Sequence, residues 1–230
     1  MNNVDPGEII IYFIALLFSL SFHEAAHAWT SEKFGDPTGR LEGRITLNPI
    51  PHIDLIGTII FPLLSAFTSL PLLGWAKPVN TNPLLWRDKK KANIMVSAAG
   101  PISNFILAAI AFVIIKVLIL SGMLLPRPGY LYDLVVPAPG QPDYLFPIAI
   151  FLSIMLMLNV LLGVFNLIPV PPLDGSHVLE EVLPSGMAEA YYQIRPFGFI
   201  LLYALLLLGV FRAIFYPVRQ AVLYVLGAYT

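Results

Sequence analysis

Apolar residues dominate five long stretches of the chain, at residues 9–29, 53–73, 94–125, 145–168 and 197–215. Each stretch approaches or exceeds the roughly 20 residues that a helix needs to cross the hydrocarbon of a bilayer. A shorter apolar piece, residues 218–228, follows Pro217, and we predict that it extends the fifth helix beyond a proline kink. The pattern predicts an all-α polytopic membrane protein with about four or five transmembrane helices.

The polar stretches before and after the second apolar one predict a small membrane-associated β element. Residues 39–48 partly alternate polar and apolar positions, as a strand does. Residues 77–82 also look extended, and the proline among them favours an edge strand. Such an edge could hold an extended substrate by backbone pairing. The alternative is an amphipathic loop on the membrane surface, and the partial alternation does not decide between them.

Composition supports the membrane assignment and limits the partners. The 230 residues are 57% hydrophobic and 12% charged, whereas soluble domains are near a quarter charged. The net charge of −1 gives no basic field that would attract nucleic acid. Cysteine is absent, so a metal would have to be held by His, Asp or Glu. The first ten residues contain no Lys or Arg, so we expect no cleaved signal peptide.

Charge in the loops indicates the orientation of the chain. Residues 74–93 contain five basic residues and one acid, Asp88, which places this loop in the cytoplasm by the positive-inside rule. Residues 126–144 contain one basic residue and two acids and fit the opposite side.

The first apolar stretch ends in the pattern H-E-x-x-H, formed by His23, Glu24 and His27. Histidines four residues apart share one face of a helix and can occupy two positions of a tetrahedral zinc. Glu24 lies beside them, where a carboxylate can deprotonate a water molecule that the metal activates. Two histidines and a glutamate in an apolar helix are costly unless they are paired or functional. The sequence therefore predicts a catalytic metal site here, with Glu24 as the base.

A third ligand is needed, because catalytic zinc has three protein ligands and one open position. Asp174 is the candidate, since it directly follows the fourth apolar stretch. An Asp-Gly pair at a helix end is also a common turn. Spacing alone leaves both interpretations open, and a His₂Asp set also suits divalent ions other than zinc.

Both motifs together resemble the site-2 protease family of intramembrane zinc metalloproteases. H-E-x-x-H ends one apolar helix, and N-x-x-P-x-x-x-L-D-G ends a later one. The second motif is met at every fixed position, by Asn166, Pro169, Leu173, Asp174 and Gly175. The stretch 99–104 also resembles the G-P-x-x-N element of the family. The likeness runs from about residue 9 to 182 and is closest to the small members without a PDZ domain.

The resemblance implies one zinc ion held by His23, His27 and Asp174, with Glu24 as the catalytic base. It also implies that Asn104 and Asn166 line the substrate site, although a hydrogen bond between helices explains a lone amide equally well. His52 lies in a stretch that the resemblance includes, and we expect it near the site as a third candidate for substrate binding. His177 is expected to be a polar residue at the membrane interface.

The metal ligands also constrain the topology. If the first four apolar stretches all crossed the membrane, the ends of the first and the fourth would lie on opposite sides. His23, His27 and Asp174 could then not share an ion. If residues 53–73 enter and leave on one side instead, the parity is restored, and the prolines in this segment fit such a bend. We therefore predict a re-entrant segment and a site near the cytoplasmic face of the cell membrane.

These inferences predict one membrane-embedded metalloprotease domain over residues 1–230, with a core at 9–182 and C-terminal helices at 197–228. Its expected partners are the lipid bilayer and single-pass membrane protein substrates, and the sequence does not define the oligomeric state. A metal-ion transporter or a non-catalytic membrane scaffold is the alternative. A transporter would need more intramembrane acids, and a scaffold would typically lack one of the four site residues.

Overall fold

The structure is a computed structural model that describes residues 6–68, 74–127 and 132–227. Most of this part of the chain is helical. The α-helices are α1 (Pro6–Lys33), α2 (Thr38–Leu41), α3 (Phe61–Thr68), α4 (Lys89–Leu120), α5 (Leu145–Asn166), α6 (Asp174–Val182), α7 (Ser185–Tyr192), α8 (Gly198–Leu207) and α9 (Val210–Leu226). A π-helical segment over Leu55–Ile60 leads into α3, and short 3₁₀ turns lie at Ile50–His52, Pro83–Leu85 and Arg195–Phe197.

Four helical segments are long and apolar enough to cross a bilayer, by length and composition. They are Pro6–Lys33, Lys89–Leu120, Leu145–Asn166 and Ser185–Leu207. Between them the chain has short helices and loops. This confirms the prediction of an all-α polytopic membrane protein.

The β structure is found at a different place from the one that the sequence predicts. Strands β1 (Leu124–Pro126) and β2 (Val135–Pro137) form an antiparallel pair in which Leu125 lies opposite Val136. The predicted strands at residues 39–48 and 77–82 were wrong. The first begins inside the short helix α2, and the second is extended but pairs with no strand in the described part of the chain. Three of its amides donate elsewhere, Lys77 to the carbonyl of His52, Val79 to the carboxylate of Glu24 and Asn82 to the carboxylate of Asp36, so these amides are not available to a neighbouring strand.

The described chain before and after residues 69–73 is held together by backbone hydrogen bonds, as at the base of a hairpin. The described helical part of the apolar segment at residues 53–73 is the π-helical segment and α3, which together are too short to span a bilayer. The Lys77 N–H donates to the carbonyl of His52 over 2.9 Å, and the Trp75 N–H donates to the carbonyl of Gly57 over 3.2 Å. Because the chain after the segment binds the chain before it, the segment returns to the side from which it entered. Residues 69–73 lie outside the described part.

The base of this hairpin is closely packed. A Cβ atom on Gly57 would lie 2.4 Å from the indole ring of Trp75, so only glycine allows this approach. The carboxylate of Asp54 accepts hydrogen bonds from two amides of the π-helical segment and caps its start. The re-entrant segment is therefore fixed where it meets the loop that follows it.

The C-terminal helices are divided at Gly209, which the sequence pattern did not predict, whereas the predicted continuation of a helix past Pro217 is found. Gly209 has a φ of +74°, in the left-handed region, and separates α8 from α9. Pro217 lies inside α9, which continues to Leu226. A left-handed residue ends a helix outright, whereas a proline removes one hydrogen bond and leaves the helix able to continue.

The chain forms two compact units. Unit 1 combines the chain up to Ser19, residues Asn104–Leu162 and the chain from Gly209. Unit 2 combines Leu20–Ser103 and Gly163–Leu208. Fully buried apolar side chains of unit 1 include Ile115, Met157 and Leu223, whereas in unit 2 Trp86, Ala92 and Val96 form a buried cluster with Phe34 packed against it. All predicted metal-site residues belong to unit 2.

Candidate metal centre

Helix α1 presents two histidines one turn apart inside unit 2. The Nε2 atoms of His23 and His27 lie 3.0 Å apart, and the two rings meet nearly at right angles. His23 is buried, with 6% of its surface exposed. The i, i+4 spacing on a continuous helix brings the two rings together, as the sequence predicts.

Asp174, the first residue of α6, brings a carboxylate to the same point. Its Oδ2 lies 3.2 Å from Nε2 of His23, and its Oδ1 lies 3.4 Å from Nε2 of His27. The next residue, Gly175, packs directly on the chain that leaves α5, where a Cβ would lie 2.3 Å from the carbonyl oxygen of Leu167. The tight turn between α5 and α6 therefore sets the position of Asp174. We refer to His23, His27 and Asp174 as the metal group.

The hydrogen bonds of the metal group leave its lone pairs facing one another. Nδ1 of His27 lies 2.7 Å from the carbonyl oxygen of Val96, which can only accept, so Nδ1 carries a proton and in the neutral ring Nε2 carries a lone pair. Within the described residues, the buried Oδ2 of Asp174 accepts no hydrogen bond. Burial raises the pKa of Asp174, but the charge and hydrogen bonds of the two histidines when they are protonated outweigh it, and the net pKa is below the ordinary range. The carboxyl is therefore anionic at neutral pH.

The geometry of the metal group fits a tetrahedral metal ion. Ligand atoms at about 2.0–2.1 Å from a tetrahedral zinc lie about 3.3–3.4 Å from one another. In the metal group the two Nε2 atoms lie 3.0 Å apart, and the nearest carboxylate oxygens lie 3.2 Å from His23 (Oδ2) and 3.4 Å from His27 (Oδ1). Buried lone pairs at these distances repel one another unless a cation lies between them. The residues present thus form a His₂Asp set that suits such an ion.

Gly100 on α4 makes room for this group. A Cβ atom at this position would lie 2.4 Å from Nε2 of His27 and 2.6 Å from Nε2 of His23. Any side chain here would overlap the ligand atoms. The sequence places Gly100 in the G-P-x-x-N element but gives no sign that it lies against the two histidines.

Glu24 lies beside the metal group and is held by a backbone amide. Its carboxylate is buried, and Oε2 accepts a hydrogen bond of 2.9 Å from the Val79 N–H. Val79 belongs to the extended segment that follows the re-entrant hairpin. This contact could not be predicted from sequence, because every residue except proline carries the same amide.

The two remaining histidines differ in their surroundings. His52 is buried, its Nε2 donates to the carbonyl of Thr46 over 3.1 Å, and its Nδ1 has no hydrogen-bond partner among the described residues. Burial lowers the pKa of His52 despite the nearby charge of Glu24, so the ring is neutral. His177 is half-buried on α6, and its Nδ1 accepts a hydrogen bond of 3.2 Å from Arg195. Burial and the charge of Arg195 lower the pKa of His177.

The two predicted substrate-site asparagines are found in different units. In unit 1, the side-chain N–H of Asn104 donates to the Asn159 carbonyl over 2.8 Å, and Asn159 donates to the Ser19 hydroxyl over 2.8 Å. We refer to Ser19, Asn104 and Asn159 as the amide cluster. This is the helix–helix alternative for Asn104. Asn166 is the last residue of α5 and is half-buried in unit 2. Substrate roles for Asn104, Asn166 and His52 stay predictions.

Several long apolar helices together with a buried His₂Asp group beside a glutamate define a multi-pass membrane protein of the metalloprotease class. The chain belongs to peptidase family M50, whose sequence model matches residues 11–209.

Two curated relatives extend this match over most of the chain. A Bacillus subtilis (strain 168) protein named "Putative zinc metalloprotease YwhC" is 36% identical over 208 residues, which are 90% of this chain and 85% of that protein. A Mycolicibacterium smegmatis protein named "Putative zinc metalloprotease Rip2" is 30% identical over 202 residues, which are 87% of this chain and 68% of that protein. No solved structure matches the chain.

Proposed function

We propose that this protein is an intramembrane zinc metalloprotease that hydrolyses peptide bonds of membrane-spanning protein substrates. The observation that carries the proposal is the convergence of two imidazole Nε2 atoms, 3.0 Å apart, with the Asp174 carboxylate, whose oxygens lie 3.2 and 3.4 Å from them, beside the buried carboxylate of Glu24. The names of the curated relatives support zinc as the metal. We further infer one metalloprotease domain over residues 1–230, which the family match across both units supports.

The metal group would hold one zinc ion through Nε2 of His23, Nε2 of His27 and the carboxylate of Asp174. When bound, zinc supplies a Lewis acid that polarises a carbonyl and increases the acidity of a water molecule. The Nδ1–H bond from His27 to the Val96 carbonyl keeps Nε2 of His27 free to bind and fixes the orientation of its ring.

Glu24 would act as the general base. Its Oε2 is bound to the Val79 N–H, so we assign the proton to Oε1. Glu24 takes this proton from the water that attacks the scissile carbonyl and then passes it to the leaving amine. Because the carboxylate is buried and one of its oxygens is fixed, it is oriented before the substrate arrives.

The substrates would be single-pass membrane proteins. The metal group and Glu24 lie on α1 and next to α5, which are apolar enough to cross a bilayer. A peptide bond that reaches this group therefore comes from a segment within or at the edge of the membrane. Among the described residues the metal group is the one set of three or more His, Asp or Glu side chains that could hold a metal ion, whereas a transport path would need further intramembrane acids.

We place the site near the cytoplasmic face. The extended segment that binds Glu24 runs into the loop with five basic residues, and the positive-inside rule assigns that loop to the cytoplasm. The chain has no cysteine, so single cysteines at the exposed positions Lys90 and Asp143 can be labelled in intact cells. We expect a membrane-impermeant thiol reagent to modify Asp143→Cys and to leave Lys90→Cys unmodified. The reverse pattern would contradict this orientation.

The decisive experiment compares wild type with Glu24→Gln, purified in detergent, on several single-pass substrates. Loss of the base should lower kcat by roughly 10²–10⁴-fold. Zinc content should remain at about one ion per chain in both proteins, because Glu24 is not in the metal group. Glu8→Gln, at the other end of α1, is the matched control and should cleave like wild type.

The other outcomes point to the alternatives. A Glu24→Gln protein that cleaves like wild type would remove Glu24 as the base. A wild-type protein that binds no metal would overturn the proposal and restore the transporter interpretation. Zinc binding without cleavage of any substrate would favour the non-catalytic scaffold.

A further inference from the structure

Arg44 is a buried arginine that belongs neither to the metal group nor to the proposed reaction. Only 3% of its surface is exposed. The nearest carboxylate is that of Glu42, with 3.9 Å between Nε and Oε2. A buried guanidinium needs good hydrogen-bond partners to offset the loss of hydration. Those partners show what Arg44 is placed to do.

The two ends of the guanidinium bind backbone carbonyls on either side of the re-entrant hairpin. Nη1 donates to the carbonyl of Pro51, before the hairpin, and Nη2 donates to the carbonyl of Pro78, after it, over 2.7 Å. The planar fork of arginine suits two acceptors at fixed positions, which a lysine ammonium does not match in geometry. Arg44 therefore links the chain segment before the hairpin to the segment after it, next to the backbone hydrogen bond between His52 and Lys77.

The second of these carbonyls leads directly to Glu24. The Pro78 carbonyl and the Val79 N–H belong to one peptide group, which is planar and rigid. Arg44 binds its oxygen over 2.7 Å, and Glu24 binds its N–H over 2.9 Å. A cation on the oxygen polarises the peptide group and strengthens the N–H as a donor. Arg44 thus acts on Glu24 through a single peptide group, although the two side chains share no hydrogen bond.

We propose that Arg44 is a positioning residue that orients the Glu24 carboxylate through the Pro78–Val79 peptide group. The inference rests on the proposed role of Glu24 as the base. This role differs from a purely structural one. It requires that the loss of Arg44 lower kcat through Glu24 and leave zinc binding and substrate affinity unchanged.

The test is Arg44→Lys, with Arg40→Lys as the matched control. Arg40 lies four residues earlier, is exposed and pairs with Glu32. For Arg44→Lys we expect kcat to fall roughly 10–100-fold, the range that a small misplacement of a catalytic group can cause. KM and zinc content should stay at the wild-type values. Arg40→Lys should behave like wild type in all three measurements. A rise in KM with unchanged kcat would overturn the proposal.

A double-variant cycle separates positioning from general damage. In Glu24→Asp the carboxylate is one methylene shorter and loses its register with the Val79 N–H. If Arg44 acts through Glu24, adding Arg44→Lys to Glu24→Asp should lower kcat by less than twofold. Multiplicative losses would show that Arg44 acts elsewhere and would overturn the proposal.

Hydrogen exchange at the Val79 amide gives a measurement that needs no activity and no metal. In metal-free wild type this amide should be protected, and both Arg44→Lys and Glu24→Ala should exchange it faster, whereas Arg40→Lys should not. Equal protection in wild type and Arg44→Lys would overturn the proposal. If the lysine variant does not fold, the neutral Arg44→Gln replaces it in every arm. If wild type does not cleave any substrate, the proposed function fails, while the exchange experiment still tests the link from Arg44 to Glu24.

Discussion

The metal group of unit 2 and the amide cluster of unit 1 are both made of polar side chains on long apolar helices, but they differ in hydrogen bonding. In the amide cluster, each amide N–H that we describe meets an oxygen, at 2.8 Å for the two shortest side-chain bonds. In the metal group, two imidazole nitrogens and a carboxylate converge at 3.0–3.4 Å, and the buried Asp174 Oδ2 accepts no hydrogen bond from the described residues.

This is the difference that we expect between a structural polar cluster and a metal-binding one. A buried polar group is costly unless it is satisfied, and donors paired with acceptors satisfy one another. Lone pairs that face lone pairs do not, and they need a cation from outside the chain. The amide cluster is therefore complete in itself, whereas the metal group is incomplete without an ion. In this protein, we take polar side chains on an apolar helix as a sign of a ligand site only when their hydrogen-bonding atoms lack partners within the chain.

Among the substitutions that test this comparison, we expect Gly100→Ala to have the largest effect, on zinc binding. Gly100→Ala places a methyl group 2.4–2.6 Å from the ligand nitrogens of His27 and His23. We expect zinc affinity to fall by at least about 10–100-fold, the range known for disturbing the surroundings of metal ligands, and cleavage to fall with it. Metal content after dialysis against a graded chelator measures the change.

Gly186→Ala is the matched control for this substitution. Gly186 lies in α7 of the same unit, and a Cβ there would meet no atom within 4 Å. Alanine is the better helix former by about 1 kcal/mol at either position, so neither variant should lose helix stability by propensity. Unchanged zinc binding in Gly100→Ala would show that the ligands are placed differently.

Sequence patterns predicted the residues of the metal group, because a metal-binding set depends on side-chain type and spacing. His23 and His27 follow from the i, i+4 spacing on an apolar helix, and the pairing of Asp174 with them came from the resemblance of its motif. The membrane helices and the re-entrant hairpin followed from the lengths of the apolar stretches and from the parity of the crossings.

The contacts and helix boundaries that could not be predicted from the sequence depend on backbone geometry. The Val79 N–H that binds Glu24 is an amide like any other, and Arg44 acts on carbonyls that residue types do not distinguish. Partial alternation at residues 39–48 predicted a strand. In the structure these residues form no strand, and the contact with the later segment is made by the buried side chain of Arg44, which donates to a backbone carbonyl. In the last helices, the left-handed Gly209 divides the fifth apolar stretch, which the pattern did not predict, while the helix continues past Pro217 as predicted.

The smallest expected effect tests the other side of the comparison. Asn159→Leu removes the acceptor of Asn104 and the donor to Ser19. Since hydrogen bonds between membrane helices contribute about 0.6–2 kcal/mol, the free energy of unfolding in mixed SDS micelles should fall by about that amount. Zinc content and kcat of the folded fraction should not change.

Asn104→Leu combined with Asn159→Leu should lose less stability than the sum of the two single variants, because no amide is then left without its partner. Asn166→Leu, on the same helix, is the contrasting variant. If Asn166 contacts substrate as predicted, it should lower cleavage with little change in stability. If Asn159→Leu instead abolished cleavage while the protein stayed folded and kept its zinc, a fully hydrogen-bonded cluster would be functional. The distinction drawn from missing partners would then fail for this protein.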